Sequence, residues 1–146
     1  MVSQQEVIYR LILSVILGSL IGLEREFKKR SAGLRTHILV CMGAALIMLT
    51  SIYVFDIYRD IAQMDPSRIA AGVITGIGFL CAGAIIRSGD SVLGLTSAVT
   101  LWVMAAIGLA VGSGFYLAAV VSTALVLIVL FAIRRIEYQI TKRKAD

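Results

Sequence analysis

Glu24, Arg25, Glu26, Arg35, Thr36 and His37 fall in the most polar stretch of a chain otherwise dominated by apolar side chains. Carboxylates two residues apart on a helix point in nearly opposite directions, so Glu24 and Glu26 are not a chelating pair. Each matches a base one turn on instead, Glu24 with Lys28 and Glu26 with Arg30. Glu24 also lies one residue beyond an apolar run, where an acid needs a compensating charge, and Arg35 at the start of the next run is the expected partner. His37 is the only histidine. Capping or bordering the second helix is its bland role, and a pH-sensing one stays open because histidine titrates near neutrality.

Three further groups carry polar atoms near the ends of apolar runs. Thr96 and Thr100 sit one turn apart, so their hydroxyls either bond to carbonyls one turn back or line a small pathway. Asp65-Pro66-Ser67-Arg68 reads as a helix start, with Asp65 as N-cap and Pro66 in the first turn. Asp56, Asp60 and Asp65 form a small acidic patch. It is either a solvated face or a loose Mg²⁺ site bound through water, since Mg²⁺ prefers oxygen ligands and keeps several waters. Asp90 is one more acid beside a run. Cys41 and Cys81 lack CxxC spacing and read as small packing residues.

Neither a P-loop nor a nucleophile elbow is present, and the cores of the apolar runs hold no His, Asp or Glu. The expectation is a non-enzymatic protein, and one that is not a pump with an intramembrane proton relay.

The elements that position these residues are apolar runs of bilayer-spanning length. Hydrophobic residues make up 59% of the chain and charged residues 16%, against ~45–50% and ~25% in soluble domains. Runs at about 7–23, 38–55, 69–86, 91–111 and 115–133 each approach the ~20 residues that cross a membrane. Only the first contains an Asp, Glu, Lys, Arg or His, namely Arg10. The expected fold is all-α: one transmembrane domain over 1–146, a bundle of five helices.

Charge placement gives an orientation. Of the 14 Lys and Arg, 11 fall on the side that takes the 24–37 segment, the 87–90 loop and the tail after 133. By the positive-inside rule that side is cytoplasmic and the N-terminus is outside. The net charge of +5 is thereby a membrane-anchoring feature, with no nucleic-acid partner implied. The first run is no signal peptide, because Glu6 and Arg10 disturb its start and no A-x-A cleavage site follows it.

Small residues recur at helical spacing: Ser14, Gly18 and Gly22 in the first helix, Gly72 and Gly76 with Gly78 in the third, Gly108 and Gly112 in the fourth. Such stripes let helices approach closely inside lipid. The contact is expected within the bundle or across a homo-oligomer, a dimer being the simplest. Gly76 and Gly78 also leave a broken third helix open, as in cavity-lining segments.

Taken in order, several motifs resemble the MgtC/SapB family of bacterial inner-membrane proteins over about residues 7–135. They include Gly22-Leu23-Glu24-Arg25-Glu26, Ala32-Gly33-Leu34-Arg35-Thr36-His37 and Asp65-Pro66-Ser67-Arg68. Gly76-Ile77-Gly78-Phe79-Leu80 and Gly94-Leu95-Thr96-Ser97-Ala98-Val99-Thr100-Leu101-Trp102 follow. The resemblance implies a multi-pass inner-membrane protein tied to magnesium limitation, acid stress or survival in host cells. It would act by regulating other membrane machinery, ATP synthase and cation transport included; direct Mg²⁺ transport is the alternative. Cys81 departs from the family's usual glycine, which would stiffen the third helix. The chain resembles a short form without the soluble C-terminal domain of virulence-type members. The best-matching motifs put the functional centre at Glu24, Arg25, Arg35, Thr36, His37, Thr96 and Thr100, with Asp65 and Arg68 at the opposite end.

Overall fold

The computed structural model describes residues 2–61, 63, 65–89 and 91–143, with side chains described through Ala132. Asp90 and the basic side chains after residue 133 lie outside the described residues. The elements in order are α1 (Gln4–Phe27), α2 (Leu34–Tyr58), α3 (Ser67–Gly83), the strands β1 (Ile86–Ser88) and β2 (Ser91–Leu93), α4 (Leu95–Ser113) and α5 (Tyr116–Arg143).

The helices α1, α2 and α4 are long and apolar enough to cross a membrane, and α3 and residues 116–132 of α5 are shorter apolar helices. Their faces are inverted relative to a soluble protein. On α1, Ile8, Ile12, Ile16 and Leu20 form an exposed apolar stripe, while Ser14, Gly18, Gly22 and Arg10 are buried. Apolar outside with small and polar inside is what lipid as the surrounding solvent selects, because tails and leucines are equally apolar. The chain is a membrane protein.

Helix α4 packs against each of the other four helices, and its buried residues cover one half of its circumference, leaving Leu95, Val99 and Trp102 exposed on the other. One apolar cluster joins Leu17 and Ile21 of α1 to Cys41 of α2, Met104, Ile107 and Val111 of α4, and Ala119 of α5. A second joins Ala44, Ile77 and Cys81 to Ala98, Leu101 and Ala105.

The helices α1, α2 and α5 extend past the apolar runs, to Phe27, from Leu34 and to Arg143, whereas α3 and α4 fall short of theirs where they face each other. The runs at 69–86 and 91–111 do not remain helical to their facing ends. Ile86 pairs with Leu93, Arg87 with Val92 and Ser88 with Ser91 in an antiparallel hairpin. Gly89, in the turn between the strands, and Gly94, between β2 and α4, take positive φ, 57° and 86°, which glycine adopts without strain. A Cβ on Gly94 would collide with the Ala84 carbonyl oxygen. The third helix is otherwise unbroken, and Gly76 and Gly78 sit inside a continuous α-helix.

Candidate functional site

Glycines bring the polar residues together. A Cβ on Gly18 would lie 2.9 Å from Ile38 Cα and 3.1 Å from the His37 carbonyl oxygen. One on Gly22 would lie 2.9 Å from Leu34 Cα. The backbone of α1 therefore rests directly on the first turns of α2. From the other side, a Cβ on Gly112 would fall 2.6 Å from the Ala45 carbonyl oxygen, and one on Gly108 would meet that of Cys41. Helix α2 is gripped between two glycine faces, which holds the ends of α1, α2 and α4 in register.

At that end lies a buried polar hub. Glu24, Arg25, His37, Ser97 and Thr100 are each 6% exposed or less. Glu24 Oε2 lies 3.1 Å from Arg25 Nε. His37 Nδ1 donates to the Gly33 carbonyl oxygen at 2.8 Å, and its Nε2 lies 3.1 Å from Thr100 Oγ1. Thr100 Oγ1 is also 2.9 Å from the Ser97 carbonyl oxygen.

The hydroxyl has one proton to give. In neutral histidine, with the proton on Nδ1, Nε2 competes with the Ser97 carbonyl for that proton. In the imidazolium form Nε2 donates to Thr100, and the Gly33, Thr100 and Ser97 contacts are all made together. The hub thus has two hydrogen-bond states that differ by one proton. Outside it, Glu26 Oε2 accepts from the Leu34 N–H at 3.0 Å, so the end of α1 caps the start of α2.

Several expected residues lie elsewhere. Arg35 and Thr36 are exposed and line one end of a groove of about 600 Å³ between α2 and α3. The expected Glu24–Arg35 pair is therefore replaced by Glu24–Arg25. Thr96 is exposed and Ser97 takes the inward position, because the buried stripe of α4 runs through Ser97, Thr100, Leu101 and Met104. For Gly72, Gly76 and Gly78 an added Cβ would meet nothing within 4 Å. Their expected close contact within the bundle is absent, because α3 packs mainly on α4 and its glycine face borders the groove between α3 and α2. The Cys81 thiol donates to the Ala98 carbonyl of α4 at 3.1 Å.

Asp65 Oδ1 accepts from the Ser67 hydroxyl at 2.6 Å and the Ser67 N–H at 2.8 Å. These bonds hold its carboxyl below the usual range. Arg68 is exposed one residue beyond. Among the described residues, no three of His, Cys, Asp and Glu gather as a metal site would require.

A second polar cluster, at the far end of the bundle, went unforeseen. Arg10 is 6% exposed. Its Nη1 donates to the Gly112 carbonyl at 2.6 Å and its Nε to the Tyr116 hydroxyl at 3.0 Å, while Nη2 pairs with Glu6. The guanidinium also sits 5.8 Å from the Tyr116 ring centroid. The available signal was Glu6 one turn before a lone arginine in an apolar run.

Comparison with known proteins places the whole arrangement. The model of the MgtC family matches residues 11–139. The chain belongs to the MgtC family. It is 43% identical over 140 residues to YhiD of Escherichia coli K12, described by its name as a candidate magnesium transporter, covering 94% of this chain and 65% of that protein. MgtC of Salmonella typhimurium is 43% identical over 120 residues, 82% of this chain and 49% of that protein. A Synechocystis relative, slr0014, is 40% identical over 129 residues, 88% and 53%. The chain thus spans about half to two thirds of the length of these relatives. No solved structure matches it. The hub and both glycine grips lie within the residues matched by the MgtC family model.

Proposed function

We propose that this chain is the membrane module of a magnesium-linked regulator in the bacterial inner membrane, acting without catalysis on other transport or ATPase machinery. All five helices cross the bilayer in this reading, with the N-terminus outside and the C-terminus in the cytoplasm. The placement of 11 of 14 basic residues on one side supports that orientation. The magnesium link comes from the name of the Escherichia coli relative, and the role in stress adaptation from the family motifs.

The observation that carries the regulatory reading is the charge state of the hub. Glu24 is the one buried acid among the described residues, and Arg25 lies against it. A permeating dication would have to displace a guanidinium from a desolvated pair, which is costly. A hub whose acid is already paired, and whose histidine has two hydrogen-bond arrangements that differ by one proton, suits a conformational device better than a conduction path. Direct Mg²⁺ transport is the second reading, favoured by the name of the Escherichia coli relative.

The test uses a strain lacking its own copy, grown under magnesium starvation or mild acid. Glu24→Gln and His37→Gln should abolish the growth advantage while the protein still inserts at wild-type levels. Full activity in both variants would remove the hub from the mechanism.

A further inference from the structure

A groove between α2 and α3 is left unused by the hub. Arg35, Thr36 and Leu39 of α2 line it at one end, and Ile69 of α3 and Ile47 of α2 at the other. Both walls carry glycine, Gly43 on α2 and Gly72 and Gly76 on α3, and a Cβ at any of the three would meet nothing within 4 Å. The floor includes Ala105 of α4.

We propose that this groove holds one acidic phospholipid, with an acyl chain along the glycine walls and the phosphate on Arg35 and Thr36. Length and charge each bear on the choice of occupant. The twelve-residue climb from Arg35 to Ile47 is ~18 Å at the α-helical rise. A ~30 Å hydrocarbon core gives a leaflet of ~15 Å. The groove therefore has the depth of one leaflet, and its single cation stands at the interfacial end.

Arg35 is exposed and, among the described residues, pairs with no carboxylate. A guanidinium at that level matches a phosphodiester in geometry and sign. Basic pockets between membrane helices on the cytoplasmic side recognise anionic headgroups in the same way.

The inference rests on the membrane embedding proposed above but on no role in magnesium handling, and the experiment reads neither magnesium nor orientation. The purified full chain, in a neutral detergent, is mixed with equal phosphatidylglycerol and phosphatidylcholine, and bound lipid is counted by native mass spectrometry. Wild type should retain phosphatidylglycerol about fivefold over phosphatidylcholine, the worth of one basic residue near an anionic surface. Arg35→Gln should equalise the two lipids. Gly76→Leu and Gly43→Leu, filling the groove from opposite walls, should lose both. Gly78→Leu, outside the groove, should behave as wild type. Equal retention of the two lipids by wild type would overturn the proposal. So would undiminished retention in both groove-filling variants, or a dimer that those variants dissociate while lipid retention stays unchanged.

Discussion

Replacing Gly22 by alanine tests whether glycine contact or mere apolarity assembles the hub. The added Cβ would start 2.9 Å from Leu34 Cα, 3.0 Å from the Leu34 carbonyl oxygen and 3.2 Å from His37 Cβ. Carbon atoms settle at ~3.5–4.0 Å, so α1 must retreat by ~0.6–1 Å or the first turn of α2 must bend. Overpacking of this kind costs ~1–3 kcal/mol. Alanine recovers up to ~1 kcal/mol of helix propensity over glycine. The same recovery applies to Gly76→Ala, where the new methyl meets nothing within 4 Å. The propensity gain therefore cancels between the two variants, and Gly22→Ala should be ~1–3 kcal/mol less stable than Gly76→Ala. Unfolding of both proteins in mixed micelles, followed by circular dichroism against denaturing-detergent fraction, reads the difference. Equal midpoints, or a larger loss at Gly76, would refute the close seat of α1 on α2 and the open space beside Gly76.

Removing one member of the buried ion pair should cost more than removing both. Glu24→Ala or Arg25→Ala leaves a desolvated charge and should lose ~3–5 kcal/mol, with the double variant losing less; a double-mutant cycle on unfolding midpoints checks this. Asp65 has a depressed carboxyl because of its bonds to Ser67. Its contribution is present above the ordinary carboxylate range and is lost as pH falls through the depressed value. Asp65→Asn should flatten the acid limb of the stability profile, measured by thermal unfolding from neutral pH down through and below the ordinary carboxylate range. A reporter fused after Asp146 should be active only in its cytoplasmic form, and a periplasmic signal would reverse the orientation.

The apolar runs were legible because bilayer thickness fixes their length, and the grip of Gly18 and Gly22 because small residues at intervals of four mark a close helix approach. That same spacing misled at Gly72 and Gly76. It shows that residues share a face but not whether another helix stands there. The hairpin at Ile86–Ser88 and Ser91–Leu93 was hidden because Ile86, Val92 and Leu93 read as apolar continuation, while Gly89 and Gly94, which turn the chain, resemble ordinary membrane glycines. Arg25 belongs to the expected functional centre, but the sequence offers Lys28 and Arg35 as partners for Glu24, because charges near a helix end look interchangeable in sequence. Burial of α1 to its last turn selects Arg25. Thr96 and Ser97 differ by one step of ~100° on α4, and only the position of His37 decides which faces inward. Arg10 was passed over because its partners, Gly112 and Tyr116, lie more than one hundred residues away.

The central claim is that the membrane module carries no magnesium current of its own. The purified chain, reconstituted into liposomes loaded with a magnesium-sensitive dye, should give Mg²⁺ entry equal to that of empty liposomes across an inwardly directed gradient and an applied potential. Entry above that baseline that is lost in Glu24→Gln would contradict the account and make the protein a transporter.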